Sequence, residues 1–311
     1  MLREITATPL PAARSLFKNN HLICNGVKDA FDFLKTAFNY FLFSSLFIAL
    51  VTTVMVYQTA TYFHLQFDFR SYIAFSFFAT ICSYNFHWVL TPEADTQSIR
   101  VSWTMQHRWL HWALIILGAL GAAWYVQYLL PHWRWILLAV LLTFLYSAPK
   151  ISFPAFTWLR NIAVGKTIFL SFVWTYVSTV LPIAIATEHW SNPEILFCIA
   201  RFFFIYPICI LFDYRDREDD RRHGIRSMIT YFNETGITRL FYGCLLLYFV
   251  TIVLLFKSGF SAWQLLNLAL QGVVAACLYP YSRKNFSDYH YYFVLDGLMM
   301  MAALITLIFG I

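Results

Sequence analysis

Apolar residues in this chain come in long uninterrupted blocks, and the charged positions gather in short segments between them. Blocks of roughly 17 to 25 residues match the length a helix needs to cross about 30 Å of hydrocarbon. About nine can be placed, at 37–57, 71–91, 111–129, 131–148, 161–186, 194–212, 238–257, 263–280 and 290–310. The expected fold is all-α, a polytopic membrane protein of about nine transmembrane helices.

Composition agrees. At 60% hydrophobic and 20% aromatic residues over 311 positions, with mean hydropathy +0.60, there is more apolar surface than one soluble core needs. The opening stretch MLREITATPLPAARSLFKNN has no continuous apolar core, so it lacks the design of a cleavable signal peptide. No Gly/Ser linker or low-complexity segment interrupts the chain, which is expected to form one domain over 1–311 with a cytosolic N-terminal segment at 1–36.

Charge fixes the expected orientation. Arg3, Arg14, Lys18, Lys28 and Lys35, then Arg100 and Arg108, then Lys150 and Arg160, then the 213–239 region, then Arg283 and Lys284 fall on alternate connections. The other side keeps little more than Arg70, Arg134, Arg201 and Lys257. The positive-inside rule then puts the N-terminus in the cytosol, with the bacterial inner membrane as the expected location. The net charge of +6 is explained by this bias and by attraction to anionic headgroups, so no nucleic-acid partner is expected. The cysteines are scattered without close pairs and are expected as thiols.

The densest charge cluster is LFDYRDREDDRRHGIRS, residues 211–227, with four aspartates, one glutamate and five arginines. Asp213, Asp216 and Asp220 stand at i, i+3 and i+7, steps of about 300° and 340° on a helix, so the three carboxylates share one face. They repel unless a cation sits among them. Hard oxygen ligands at a membrane surface suit Mg²⁺, which completes its shell with water and phosphate oxygens. Arg215, Arg217, Arg221, Arg222 and Arg226 are candidates to neutralise a phosphate or diphosphate. The competing reading is a solvated loop whose arginines only set topology.

A second feature is LYSAPKISFP at 145–154, where Tyr146 and Lys150 are four apart and share a helical face. The lysine either reaches a diphosphate oxygen or snorkels to the interface. Lys166, one turn into the next apolar block, is open to the same two readings. His107 and His111 have metal-ligand spacing but no further clustered histidines, and AVGKT at 163–167 lacks the leading glycine of a phosphate-binding loop.

The pattern D-x-x-D-x-x-x-D with a following glycine (DYRDREDDRRHG), together with Y-x-x-x-K (YSAPK), resembles the UbiA superfamily of intramembrane prenyltransferases. The resemblance implies helices bundled around a central cavity with a polar cytosolic cap. It also implies Mg²⁺ as cofactor, held by two Asp-rich motifs on a polyprenyl diphosphate, and transfer of the prenyl group to an aromatic or other lipophilic acceptor. Asp213, Asp216 and Asp220 would be metal ligands, Tyr146 and Lys150 catalytic contacts to the leaving diphosphate, and Asn85, Arg100, Lys166, Arg217 and Arg221 substrate-binding residues.

The other motif departs from the family. The segment reads YNFHWVLTPEADTQSIR at 84–100, with Asn85 in the leading place but Phe86, Val89 and Glu93 where aspartates are expected. Glu93, Asp95 and His87 are candidate replacement ligands; the alternative is a catalytically altered or inactive member of the fold. A transporter is the competitor from another class, and it would place acidic residues near the membrane midplane.

Overall fold

The computed structural model describes residues 28–91, 98–151, 165–222 and 227–310, and these are helical with short connections. The chain divides into two compact units, 1–42 and 43–311. The described part of the first unit lies in helix α1, Lys28–Phe43.

The second unit continues with α2 (Leu46–Tyr62), α3 (Phe69–Val89), the short α4 (Ile99–Gln106), α5 (Arg108–Val126) and α6 (Trp133–Ser147). There follow α7 (Lys166–Ala186), α8 (Asn192–Arg222), the one-turn α9 (Met228–Tyr231), α10 (Glu234–Lys257) and α11 (Ala262–Ser282). Last come α12 (His290–Met299) and α13 (Met301–Phe309). Several starts are written locally: Asp68, Ser98, Asn233 and Ser261 each cap the following helix through a side-chain oxygen.

Every predicted apolar block has a helical counterpart, but the count of nine is not what length and apolarity give. Among the described residues five helical segments qualify as spans, or seven when α1 with α2 and α12 with α13 each count as one. α3 has 21 residues but is less apolar, and does not qualify. The 43-residue segment Arg108–Lys150 counts once, yet it folds back on itself. His111 at its start bonds Asn85 and Tyr146 near its end stacks on His87, so both ends lie beside the end of α3. The reversal falls in the 3₁₀ turn Gln127–His132, which contains Pro131.

Close packing holds this hairpin to α3. A Cβ at Gly118 would stand 2.7 Å from the Cys82 amide nitrogen and 2.8 Å from the Phe78 carbonyl oxygen. Gly118 therefore lets two backbones approach where the apolar solvent supplies no hydrophobic drive for association. Gly118→Val is expected to lower stability by about 1–3 kcal/mol, the cost of overpacking, read as a lower melting temperature in detergent. An unchanged melt would show that α3 and α5 can separate freely.

Helix irregularities are used as well. In the π-helical turn Tyr176–Val180, the Ser178 carbonyl accepts from Thr59 Oγ1 at 2.9 Å and the Val177 carbonyl from Tyr72 OH at 3.3 Å, tying α7 to α2 and α3. Deeper in the unit, buried Arg201 donates to Gln58 Oε1 at 2.8 Å, and Asn267 and Gln271 bond the Ala302 carbonyl and the Tyr248 hydroxyl. Such pairing is what buried polar groups require.

Candidate active site

The ends of α3, α5, α6, α7, α8 and α12 meet at one polar end, and the candidate residues distribute there into three groups.

The first is the carboxylate face of α8. Asp213 is buried and accepts a short hydrogen bond from the Thr167 hydroxyl. Asp216 is 42% exposed and pairs with Arg215 Nε at 2.8 Å. Asp220 is buried, and its Oδ2 has no hydrogen-bond partner. Lys166, at the start of α7, interacts electrostatically with all three. Lys166 therefore brings positive charge toward this face, but it is not within ion-pairing distance of any of the three carboxylates. Among the described residues no three acidic, histidine or cysteine side chains converge on one point.

The second group lies on α3 and the end of α6. Lys150 Nζ is 2.7 Å from His87 Nε2 and 2.6 Å from Thr91 Oγ1. His87 Nδ1 is 3.2 Å from Ser147 Oγ, and the Tyr146 ring stacks on the imidazole at 5.0 Å. Tyr146 also interacts with Lys166 and Asp213, so it stands between the two groups.

The third group braces the rim. The guanidinium of buried Arg100 packs at the corner of the edge-to-face ring pair Trp88 and Tyr292, 4.1 Å and 4.5 Å from their centroids. Asp288 joins three elements, accepting from Ser98 Oγ at 3.0 Å and the Arg100 amide at 2.9 Å while lying 3.6 Å from Arg215 Nη1. Arg215 also donates to Tyr292 OH at 2.9 Å, and the π-helical turn His290–Leu295 is what presents that tyrosine. Burial lowers the pKa of Arg100, and Tyr292 and the Asp296 and Asp288 carboxylates counter it.

A model of the UbiA prenyltransferase family matches residues 100–291. The chain belongs to the UbiA prenyltransferase family. An apo structure of a UbiA homolog from Aeropyrum pernix K1 has the same fold, with a TM-score of 0.62 at 13% identity, covering 85% of this chain and 98% of that one. No curated protein sequence matches this chain. With its apolar helices, this UbiA-family chain is an integral membrane protein.

Within this UbiA-family fold some expected site residues are placed otherwise than their sequence positions suggest. Asn85 is fully buried, with Nδ2 bonded to the Ser44 and Ile81 carbonyls at 3.0 and 2.8 Å and Oδ1 to His111 Nδ1 at 2.6 Å. Both amide protons are spent on backbone carbonyls, so it braces the helices and has none left to orient a diphosphate. Arg217 bonds Glu234 at 2.5 Å and the Phe232 carbonyl at 2.8 Å. Arg221 bonds Glu218 at 3.0 Å and the Thr230 carbonyl at 3.3 Å. Both arginines fasten α8 to the segment 230–234 at the start of α10 and are not gathered with the aspartates. Glu93, Asp95, Arg160, Gly224 and Arg226 lie outside the described residues.

Sequence reading missed Asp288, Asp296, Thr91 and Thr167. Asp296 interacts with Arg100 and Arg215, and an aspartate inside a predicted apolar block is a signal that marks it. No local pattern marks the two threonines.

The two halves of the site fit a magnesium ion differently. On the α8 side the three carboxylates do not converge, but the buried, unsatisfied Asp220 Oδ2 is a hard donor of the kind Mg²⁺ takes one or two of, completing its shell with water and phosphate oxygens. The α3 side does not fit: Phe86 and Val89 are apolar, and both nitrogens of His87 are engaged.

Proposed function

We propose that this chain is a membrane prenyltransferase, transferring a polyprenyl group from its diphosphate to an aromatic or other lipophilic acceptor with Mg²⁺ as cofactor. The observation that supports it best is the carboxylate face of α8, with its unsatisfied Asp220 oxygen, standing beside two lysines and a tyrosine. Acid for a metal and cations for phosphate oxygens are the complementary needs of a diphosphate.

Asp213, Asp216 and Asp220 would hold the ion, which when bound supplies positive charge to the departing diphosphate. Lys150 donates to a phosphate oxygen, and Tyr146 orients beside it through its stack on His87. The bond from prenyl C1 to the diphosphate oxygen breaks with both electrons leaving on that oxygen. The acceptor's nucleophilic atom then bonds C1 and gives up its proton. The alternation of Lys and Arg supports a cytosolic polar end and N-terminus.

A catalytically altered or inactive member is the second reading, favoured by the lack of any carboxylate on α3. Transport is disfavoured, because Asp213, Asp216, Asp220, Asp288 and Asp296 belong to the polar end. The test is transfer from labelled farnesyl and geranylgeranyl diphosphate to a panel of phenolic and quinol acceptors, in nanodiscs with Mg²⁺. Labelled lipid product is expected; its absence with every pair would favour the inactive member.

A further inference from the structure

The α3 side of the site is built for a cation that the chain carries covalently. Between Phe69 and Val89 there is no aspartate or glutamate, and the Asn85 amide is consumed within the helices. Lys150 occupies this side instead, bonded to two neutral acceptors, His87 Nε2 and Thr91 Oγ1. An ammonium only donates, so Nε2 accepts, the imidazole proton sits on Nδ1, and that nitrogen donates to Ser147 Oγ.

Two of the three ammonium N–H groups are placed in this way. No carboxylate among the described residues is within ion-pairing distance of Lys150. Two more cations, Lys166 and Arg100, interact with it repulsively, and only Asp216 attracts it. Trp88 also bridges Arg100 and Lys150, at 4.1 and 5.7 Å from its ring. A half-buried cation among like charges without an adjacent counter-ion is a costly arrangement, relieved by loss of its proton or by an anion that keeps it charged.

We propose that, on the α3 side of this site, Lys150 from the end of α6 stands as a hydrogen-bonded cation in place of a carboxylate-held metal ion. His87 and Thr91 are positioning residues that hold Lys150 so that its remaining N–H meets a phosphate oxygen directly, and metal is needed only on the α8 side. This rests on the diphosphate reading above.

The test is binding of farnesyl thiodiphosphate to the purified full chain by titration calorimetry, in excess Mg²⁺ and in EDTA. Mn²⁺ bound in the presence of the analogue is counted by electron paramagnetic resonance. Wild type is expected to bind in EDTA within about tenfold of its affinity in Mg²⁺, with one Mn²⁺ per chain; tenfold corresponds to about 1.4 kcal/mol. Lys150→Met should lose the EDTA binding by 100-fold or more, while Lys150→Arg keeps most of it and guards against a folding defect. His87→Phe should weaken the EDTA binding about tenfold, and His87→Gln, whose amide oxygen still accepts from the lysine, should restore it.

Binding seen only with Mg²⁺, two Mn²⁺ per chain, or loss of a Mn²⁺ in Glu93→Gln or Asp95→Asn would overturn the metal-free half-site while leaving the diphosphate reading in place. Absence of binding under both conditions would overturn the two together.

Discussion

Asp220→Asn is expected to reduce prenyl transfer by about 10²–10³-fold while leaving the protein as stable as wild type or slightly more so. The two effects separate because of what the carboxylate does in the fold. Its Oδ2 is buried without a hydrogen-bond partner, and burial together with the like charge of Asp213, Asp216 and Asp219 outweighs the attraction of Lys166. An amide of the same shape removes that repulsion and the cost of a buried charge. The loss falls instead on the transition state, where removing one group that stabilises developing charge costs this much in other enzymes. Transfer rates at saturating substrate and melting curves, compared for wild type and variant, make the check. A variant that melts early with unchanged transfer would show that Asp220 is structural. Asp216→Asn should lose transfer similarly, with a larger stability cost because Arg215 loses an ion pair.

Lys166→Met should destabilise the metal-free protein by about 1 kcal/mol, because the half-buried lysine acts on the acids through its charge without a direct ion pair. Three carboxylates then share one helix face with their nearest common cation gone. Millimolar Mg²⁺ should recover most of the loss in the variant and shift wild type much less, since in wild type the ion competes with a resident ammonium. The measurement is melting temperature against Mg²⁺ concentration for both proteins. Equal Mg²⁺ responses would mean that Lys166 does not stand in for a cation at this face, and that the aspartates are neutralised elsewhere.

The residues behind these two results differ in how legible they are. That Asp213, Asp216 and Asp220 share a face comes from helical geometry alone, because seven residues are close to two turns. The groups that face them are not legible in this way. Lys166 is contributed by another helix, and Thr167, which bonds Asp213, is 46 residues away in sequence. Arg217 and Arg221 lie beside the acids in the chain and read as partners for a phosphate, but Glu234 and the Phe232 and Thr230 carbonyls take them. Long flexible side chains reach in several directions from one backbone position, and only the neighbours decide which.

Solvent and architecture are written in the order of the residues alone. Apolar blocks of bilayer length must be helices, since an unpaired backbone cannot cross hydrocarbon, and each block has its helix. The family pattern is legible there too, because DYRDREDD and YSAPK are contiguous. The role of Asn85 is set only by packing: its amide has several ways to be satisfied and is consumed by Ser44, Ile81 and His111. Packing also places an ammonium on the α3 side, since Lys150 and His87 are 63 residues apart and the hairpin reversal at Gln127–His132 brings them together. Local rules give each side chain its face; long-range packing gives it its partner, and in this site the partner sets the chemistry.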